Sequence, residues 1–256
     1  MRHPLFAIAA SLALAACDRG FLPLGGRFEI GRDPMVIFVG GDMAAGGDLY
    51  ALQADGGGAI PLTFSVVGEM RPSLSPDGGQ VAFLRAGTLT DTLPASAWVL
   101  NLVNGAERQV SLPLGAGRPG QVGWSADGAT LVLRTSRGIY AAPAPPVHGE
   151  ARALTGPARA SAESSLAVLL GNPAFARVVP CDDPADLCVV GDSGAPALLA
   201  KEAGDAARWG DDSVAYLEGG RLVVRPVGPG HPRVIPWSGV PERPRQLTVF
   251  PGVLSP

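Results

Sequence analysis

Lysine is almost absent from this chain of 256 residues, and basic residues do not outnumber acidic ones. Of the 20 basic residues only Lys201 is a lysine, which is typical of a compositional bias of the genome. The formal net charge is −3, whereas a protein that binds nucleic acid presents a basic stripe. We therefore expect no nucleic-acid partner.

Charged residues are also scarce, at 17%, but hydrophobic residues reach 46%, so the chain is not disordered. The 35 glycines and 25 prolines interrupt short apolar runs rather than forming clusters. This pattern is typical of short strands joined by tight turns. No apolar stretch of about 12 residues beyond the amino terminus has a clean period of 3.6, so we expect no long helices.

Long hydrophobic runs are absent except at the amino terminus. Leu5–Leu14 is an apolar run of ten residues that follows Arg2. It is shorter than the ~20 residues that span a bilayer, and it predicts a secretory signal. Leu14-Ala15-Ala16-Cys17 resembles the lipobox of bacterial lipoproteins, in which a cysteine follows small residues.

The lipobox resemblance implies that residues 1–16 are a signal peptide and that Cys17 is lipidated and acylated at its new amino group. Several acyl chains on one residue exceed what stable anchoring needs. We expect a linker at 17–26, a folded domain at 27–256, and a position facing the periplasm on the inner or outer membrane. The alternative is an unlipidated signal peptide with an incidental cysteine.

Cysteines are few, and only Cys181 and Cys188 remain besides Cys17. They enclose a turn-forming acidic segment, 182–187, between two apolar runs. Because an exported chain meets an oxidising compartment, we expect a disulfide that closes a hairpin loop. Two free thiols or a metal site are the alternatives. A zinc site needs four ligands, and neither His148 nor His231 is close in sequence.

One pattern recurs along the chain: a strand, a Ser-x-Asp-Gly turn and a second apolar strand. It is clear at 72–84 and 122–133, and it is weaker at 28–38 and 208–217. Asp accepts hydrogen bonds from nearby backbone N–H groups and Gly allows a positive φ, so the pair closes a tight turn. The expected turn residues are Asp33, Asp77, Asp127 and Asp212, with Asn172 in a degenerate copy.

Each copy continues into further strands. Third strands are expected at 48–52, 98–102, 138–142, 187–190 and 221–225, with variable fourth strands at 59–63 and 108–112. Four strands in each 40–50 residues are typical of a β-propeller blade. We expect an all-β propeller of about five four-stranded blades. The segment around Gln246–Phe250 either closes the ring or begins an incomplete sixth blade.

Leu74, Trp124 and Trp209 precede the turn in their copies and are expected to pack between neighbouring blades. The segments Leu-Ser-Pro-Asp-Gly at 74–78 and Trp-Ser-Ala-Asp-Gly at 124–128 resemble the TolB-type propeller repeat. That resemblance implies a periplasmic propeller without cofactor. TolB itself has an amino-terminal α/β domain, for which residues 18–26 leave no room.

Residues that carry chemistry are not clustered in this sequence. The segment around Ser193 looks like the nucleophile region of trypsin-like proteases, but Ala195 replaces the second glycine of that pattern. We expect no metal, no cofactor and no catalytic residue. The leading hypothesis is a lipid-anchored, non-enzymatic module that binds a protein or another envelope ligand. The alternative is a glycan hydrolase or lyase with a site in the central channel.

Overall fold

The computed structural model describes residues 24, 27–41, 47–88, 93–167, 178–183, 186–190, 195–201, 203, 206–210 and 212–252. Cys17, Asn172 and Ser193 lie outside the described residues. Among the residues that are described, no helix is both long enough and apolar enough to cross a bilayer.

The first half of the described chain contains strands only: β1 (Met35–Gly40), β2 (Asp48–Gln53), β3 (Gly57–Gly58), β4 (Ile60–Pro61), β5 (Glu69–Leu74), β6 (Gln80–Ala86), β7 (Pro94–Asn101), β8 (Glu107–Gln109), β9 (Pro119–Trp124), β10 (Thr130–Thr135), β11 (Gly138–Pro143) and β12 (Arg152–Ala153). A helix, α1 (Gly156–Ala167), follows. The remaining strands are β13 (Val178–Pro180), β14 (Leu187–Val190), β15 (Pro196–Ala200), β16 (Ala207–Trp209), β17 (Ser213–Glu218), β18 (Arg221–Pro226), β19 (Arg233–Ile235), β20 (Trp237–Ser238) and β21 (Arg245–Phe250).

These strands form five antiparallel sheets that follow one another along the chain. Sheet 1 has the order β21-β1-β2-β4, sheet 2 is β5-β6-β7-β8, and sheet 3 is β9-β10-β11-β12. Sheet 4 is β13-β14-β15, and sheet 5 is β16-β17-β18-β19. A short parallel pair, β3 with β20, joins the connections beside sheets 1 and 5. The expected third strands are therefore present as β2, β7, β11, β14 and β18.

Sheet 1 is completed by the last strand of the chain. Residues 28–30 do not form the expected first strand, because hydrogen bonds from Arg32 and Asp33 to the Glu29 carbonyl curl this segment into a turn. The strand β21 takes that place and pairs with β1 from Met35↔Phe250 to Val39↔Arg245. Two outcomes were expected for Gln246–Phe250, a closing strand or the start of a sixth blade. The pairing of β21 with β1 agrees with the closing strand.

Neighbouring sheets pack face to face through apolar side chains that alternate along each central strand. In β1, Met35, Ile37 and Val39 pack against sheet 2, whereas Val36 and Phe38 pack against sheet 5. Both faces of the strand are covered, so all six of its residues are buried. Further apolar clusters join sheet 2 to sheet 3 and sheet 4 to sheet 5.

The helix α1 contradicts the expectation that the chain beyond the signal contains no long helix. It is rich in alanine, a strong helix former, and Arg159 and Glu163 add an i,i+4 ion pair of 3.1 Å. Of the helix side chains that the structure describes, only Ala162 and Leu166 are buried, against Val132 and Ile139 of sheet 3. An apolar face of two residues is too narrow to produce a helical period in the sequence.

The structure joins Cys181 and Cys188 by a disulfide, with their Cα atoms 5.2 Å apart. The bridge lies across the β13–β14 hairpin, in which Val179 pairs with Cys188. The turn is held by hydrogen bonds from Cys181 N–H to the Asp186 carbonyl and from Asp186 N–H to the Asp183 carbonyl. The two thiols therefore close a hairpin loop, as expected from the spacing.

Candidate functional site

The sheets share two ends, which we call the turn end and the loop end. The turn end carries the Asp77 and Asp127 turns, and the amino-terminal segment lies beside them, since a Cβ on Gly31 would be 3.0 Å from the Asp77 carbonyl oxygen. The loop end carries the connections 62–68, 110–118 and 135–138 at the other ends of the same strands. A binding site at one end is therefore a strand's length from the other.

The Asp77 and Asp127 turns have the same hydrogen bonds. Ser75 Oγ donates to Asp77 Oδ1 at 2.5 Å, and Gly79 N–H donates to the same oxygen at 3.0 Å. The bonds from Ser125 and Ala129 to Asp127 have these lengths too. The Ser125 hydroxyl lowers the pKa of Asp127 by stabilising its charged form. Both aspartates therefore hold their own turns.

Asp33 and Asp212 also precede the second strands of their sheets, but their turns differ. Asp33 Oδ2 accepts a hydrogen bond from Glu29 N–H at 2.7 Å, so it closes the segment that replaced a first strand. Asp212 accepts a bond from the adjacent Ser213 hydroxyl. Its turn is shorter, because Trp209 pairs directly with Ser213. The expectation that Asp212 occupies a turn equivalent to the other two is therefore wrong in detail.

The short turn also changes the position of Trp209. Leu74 and Trp124 end the first strands of their sheets and pack toward the preceding sheet. Trp209 ends its strand too, but it packs toward sheet 1, which follows. A shift of pairing by one residue moves every side chain to the opposite face of a strand. Trp124 is buried, whereas Leu74 and Trp209 are only partly buried.

The inner edges of the first strands are joined by polar side chains near the loop end. Arg71 N–H donates to Gln246 Oε1 at 2.7 Å, which connects sheets 2 and 1. The Arg71 guanidinium donates to the Gly120 carbonyl of sheet 3. Gln121 continues the series by donating to the Leu166 carbonyl of α1 at 2.6 Å. These bonds link three successive sheets along one line.

Backbone strain is concentrated in the same place. Within the described residues, the non-glycine residues with positive φ are Arg71 at 54°, Arg243 at 49° and Gln246 at 53°. Arg71 and Gln246 lie in β-bulges, where the pairing of β5 with β6 and of β21 with β1 shifts. Bulges and strained residues are common next to functional sites. The inner edge at the loop end is therefore a candidate site.

A buried charged network supports the loop end between sheets 1 and 2. Glu69 is buried and accepts hydrogen bonds from the Thr63 hydroxyl and from Arg85, whose Nε lies 3.0 Å from Glu69 Oε1. Arg85 also bonds Glu107 Oε2 at 2.9 Å. Its guanidinium lies 4.5 Å from the centre of the Trp98 ring, which adds a cation–π contact. The network holds the 62–68 connection on the two sheets.

We expect the stability of the protein to depend on pH through Glu69. Burial raises the pKa of Glu69 from 4.5 to about 7. Between these values the folded chain holds a proton that the unfolded chain has lost, so the free energy of unfolding falls as pH rises. The shift corresponds to about 3 kcal/mol, lost between pH 4.5 and 7. Denaturant unfolding at pH 5, 6, 7 and 8 measures this loss.

Glu69→Gln should remove most of that pH dependence, because the amide keeps a partner for Thr63 and does not titrate. Glu242→Gln is the matched control, since Glu242 is exposed and its loss should leave the slope unchanged. A Glu69→Gln protein that loses stability with rising pH as steeply as the wild type would contradict the assignment.

Exposed apolar side chains are concentrated at the loop end. Phe64, Val66, Leu93 and Leu114 are between 60% and 105% exposed, and all four belong to loop-end connections. An open cavity of about 500 Å³ lies at the same end, lined by residues that include Ser96, Leu112 and Gly117. We call these four side chains and the cavity the loop-end surface.

Neither the loop-end surface nor the polar residues near it were among the sites expected from the sequence. Arg71 and Gln246 are 175 positions apart, so no local pattern could bring them together. The position of Arg85 could have predicted a buried ion pair. Arg85 follows the apolar run Val81–Leu84, and a charge inside a buried strand requires a partner. Of the expected sites, the turns at Asp77 and Asp127 lie away from the loop end.

The described sheets define an all-β protein of the β-propeller class, in which four-stranded antiparallel sheets pack face to face and the last strand completes the first sheet. No family model matches the chain, and no curated protein matches it.

Solved structures provide the remaining comparisons. The chain is similar to TolB from Acinetobacter baumannii, with 14% identity and a TM-score of 0.38 over 84% of this chain and 66% of that one. It is similar to a putative TolB from Agrobacterium tumefaciens, with 15% identity and a TM-score of 0.38 over 86% of this chain and 74% of that one. An oligogalacturonate lyase in complex with manganese has 17% identity and a TM-score of 0.35, over 73% and 52%.

This chain therefore spans just under two thirds of the length of the first of these structures. TM-scores below 0.5 transfer no function, so the function has to be inferred from this chain's own residues.

Proposed function

We propose that this protein is a non-enzymatic binding module, anchored to a membrane by a lipid on Cys17, that binds a protein or another envelope ligand through the loop-end surface. We also propose that its five sheets are the blades of one propeller, with sheet 4 as the fourth blade. The periplasm is the compartment that a lipobox and a disulfide favour together.

The observation that carries this proposal is the position of the exposed apolar side chains. Of the eight large hydrophobic residues that are exposed in the described chain, half lie in connections at the loop end. Grouped apolar side chains beside a cavity are typical of interaction surfaces, whereas single ones are ordinary. The hydrogen bonds of Arg71 and the buried Glu69–Arg85 pair hold these connections in place.

The binding surface is tested by affinity capture from detergent-solubilised membranes. Leu93→Ser with Leu114→Ser should reduce recovery of a saturable partner at least tenfold, because both side chains are exposed and would be covered by that partner. Val103→Ser with Val147→Ser is the matched control, since these residues are also large, exposed apolar side chains but lie at the turn end. Equal loss in both double variants would reject the loop-end surface as the binding site.

The anchor is tested separately by fractionation. Cys17→Ser should move the protein from the membrane fraction to the soluble or unprocessed fraction, because the thiol that accepts the lipid is gone. Cys181→Ser with Cys188→Ser is the control, since it removes the other thiols and should leave the protein in the membrane fraction. Unchanged membrane association of the Cys17→Ser protein would contradict lipid anchoring.

A further inference from the structure

A second cavity lies at the loop end of sheet 3, next to the Gly117 side of the loop-end surface, since a Cβ on Gly117 would contact Ser136 Oγ. Its volume is about 300 Å³, and it opens between the β10–β11 turn and the helix α1. Arg134, Ser136 and Arg137 line it from the turn, while Arg159 and Glu163 line it from the helix. We call these five residues the arginine cleft.

Two of the three guanidinium groups in the cleft have no acceptor in the part of the chain that the structure describes. Arg134 and Arg137 are both exposed and make no side-chain hydrogen bond or ion pair there. Arg159 pairs with Glu163 at 3.1 Å, with their side chains 53% and 36% exposed. An ion pair this exposed is weak, so Arg159 can exchange its partner for a ligand.

The backbone of the cleft is fixed, which keeps the arginines close together. Ser136 N–H donates to the Arg118 carbonyl at 2.9 Å, and Arg118 N–H donates to Ser136 Oγ at 3.2 Å. Arg137 N–H donates to Thr135 Oγ1 at 3.1 Å. The helix side is held by Leu166 and Ala162 on sheet 3. The Ser136 hydroxyl proton remains as a further donor for a ligand.

The charge of the cleft differs from that of the chain. Three arginines and one glutamate give a local charge of +2, in a protein whose formal net charge is −3. A phosphate monoester carries about −1.5 to −2 at neutral pH, which balances this charge. The guanidinium group also presents donors in a planar fork that fits phosphate oxygens in pairs.

We propose that the arginine cleft binds the phosphate group of a phosphate ester. Arg134 and Arg137 contact the phosphate oxygens from the turn, and Arg159 contacts them from α1 after leaving Glu163. A cavity of about 300 Å³ holds the phosphate together with a small organic body such as a sugar or glycerol.

The position of the cleft favours a soluble ester over a lipid headgroup of the anchoring membrane. This inference rests on the proposed lipid at Cys17. Leu24 is buried beside Phe28, on the segment that lies at the turn end. Six residues lie between Cys17 and Leu24, so these two residues are at most about 25 Å apart along an extended chain. The cleft lies beyond the far end of β10, about 20 Å further from the turn end.

Titration calorimetry on the full chain carrying Cys17→Ser tests the site without the anchor's own affinity for membranes. The ligands are glucose 6-phosphate, inorganic phosphate and vesicles that contain phosphatidic acid. Saturable binding of glucose 6-phosphate is expected, and Arg134→Gln with Arg137→Gln should weaken it at least tenfold. Glu163→Gln should strengthen it severalfold, because the competing carboxylate is removed from Arg159.

Arg152→Gln is the matched control, since Arg152 is an exposed arginine of sheet 3 outside the cleft. Binding of vesicles alone that depends on Arg134 and Arg137 would also support the phosphate site, with a lipid as its source. Equal weakening by Arg152→Gln, or no saturable binding of any of the three ligands, would overturn the proposal. Capture of a partner through Leu93 and Leu114 is unaffected by either result, so the two proposals fail separately.

Discussion

Deleting residues 244–256 should abolish the folded monomer. The deletion removes β21, so β1 keeps its pairing with β2 but loses its other hydrogen-bonding partner and presents an open edge, which promotes aggregation. Leu247 and Phe250 are also lost from the clusters that join sheet 1 to sheets 5 and 2. The loss is comparable with the whole stability of a domain, about 5–15 kcal/mol. Size-exclusion chromatography and thermal unfolding followed by circular dichroism should show aggregate without a cooperative transition.

Deletion of residues 253–256 is the control, since it leaves β21 complete and should give a folded monomer. Phe250→Ala provides a graded test, because its ring is buried against sheet 2 and a Cβ on Gly78 would lie 2.8 Å from it. A stable monomer after the longer deletion would show that β21 does not close the fold.

Trp124→Ala should destabilise the protein by about 3–5 kcal/mol, the usual effect of removing a large buried aromatic ring. Trp124 is 8% exposed and packs between sheets 2 and 3. Its indole Nε1–H donates to the Ser73 carbonyl at 2.8 Å, so the substitution also leaves an inner-strand carbonyl without its partner. Chemical denaturation measures the change in the free energy of unfolding.

Two further variants separate the causes of that loss. Trp124→Phe keeps a buried six-membered ring but removes the hydrogen bond and the smaller ring of the indole, so its loss should be at least about 1 kcal/mol and smaller than that of Trp124→Ala. Trp209→Ala is the positional control, and it should lose clearly less than Trp124→Ala because its ring is partly exposed. Equal losses at Trp124 and Trp209 would contradict the difference in packing that follows from the short Asp212 turn.

The elements that the sequence predicted are those set by local chemistry. Asp77-Gly78 and Asp127-Gly128 determine their turns through bonds that reach no further than five residues, so the strands on either side followed from the pattern. Cys181 and Cys188 are seven positions apart, so their disulfide could be predicted for the same reason.

The elements that the sequence did not predict depend on distant contacts. Residues 28–30 have the composition of a strand, but their place is taken by a segment from the other end of the chain. Of the described side chains of α1, only Ala162 and Leu166 are buried, so the sequence of the helix gave no helical period. The arginine cleft combines residues of a turn and a helix, and nothing in either segment alone distinguishes them from solvated side chains.

The pairing of β21 with β1 also has a consequence for how the protein is made. The strand that completes sheet 1 is synthesised long after β1, so the first sheet stays unfinished until residues 245–250 have emerged. Contacts between residues so far apart in sequence slow folding, because the chain must close a very large loop first. A chain whose first sheet is completed this late stays unfolded for longer than one whose sheets are each completed by neighbouring strands.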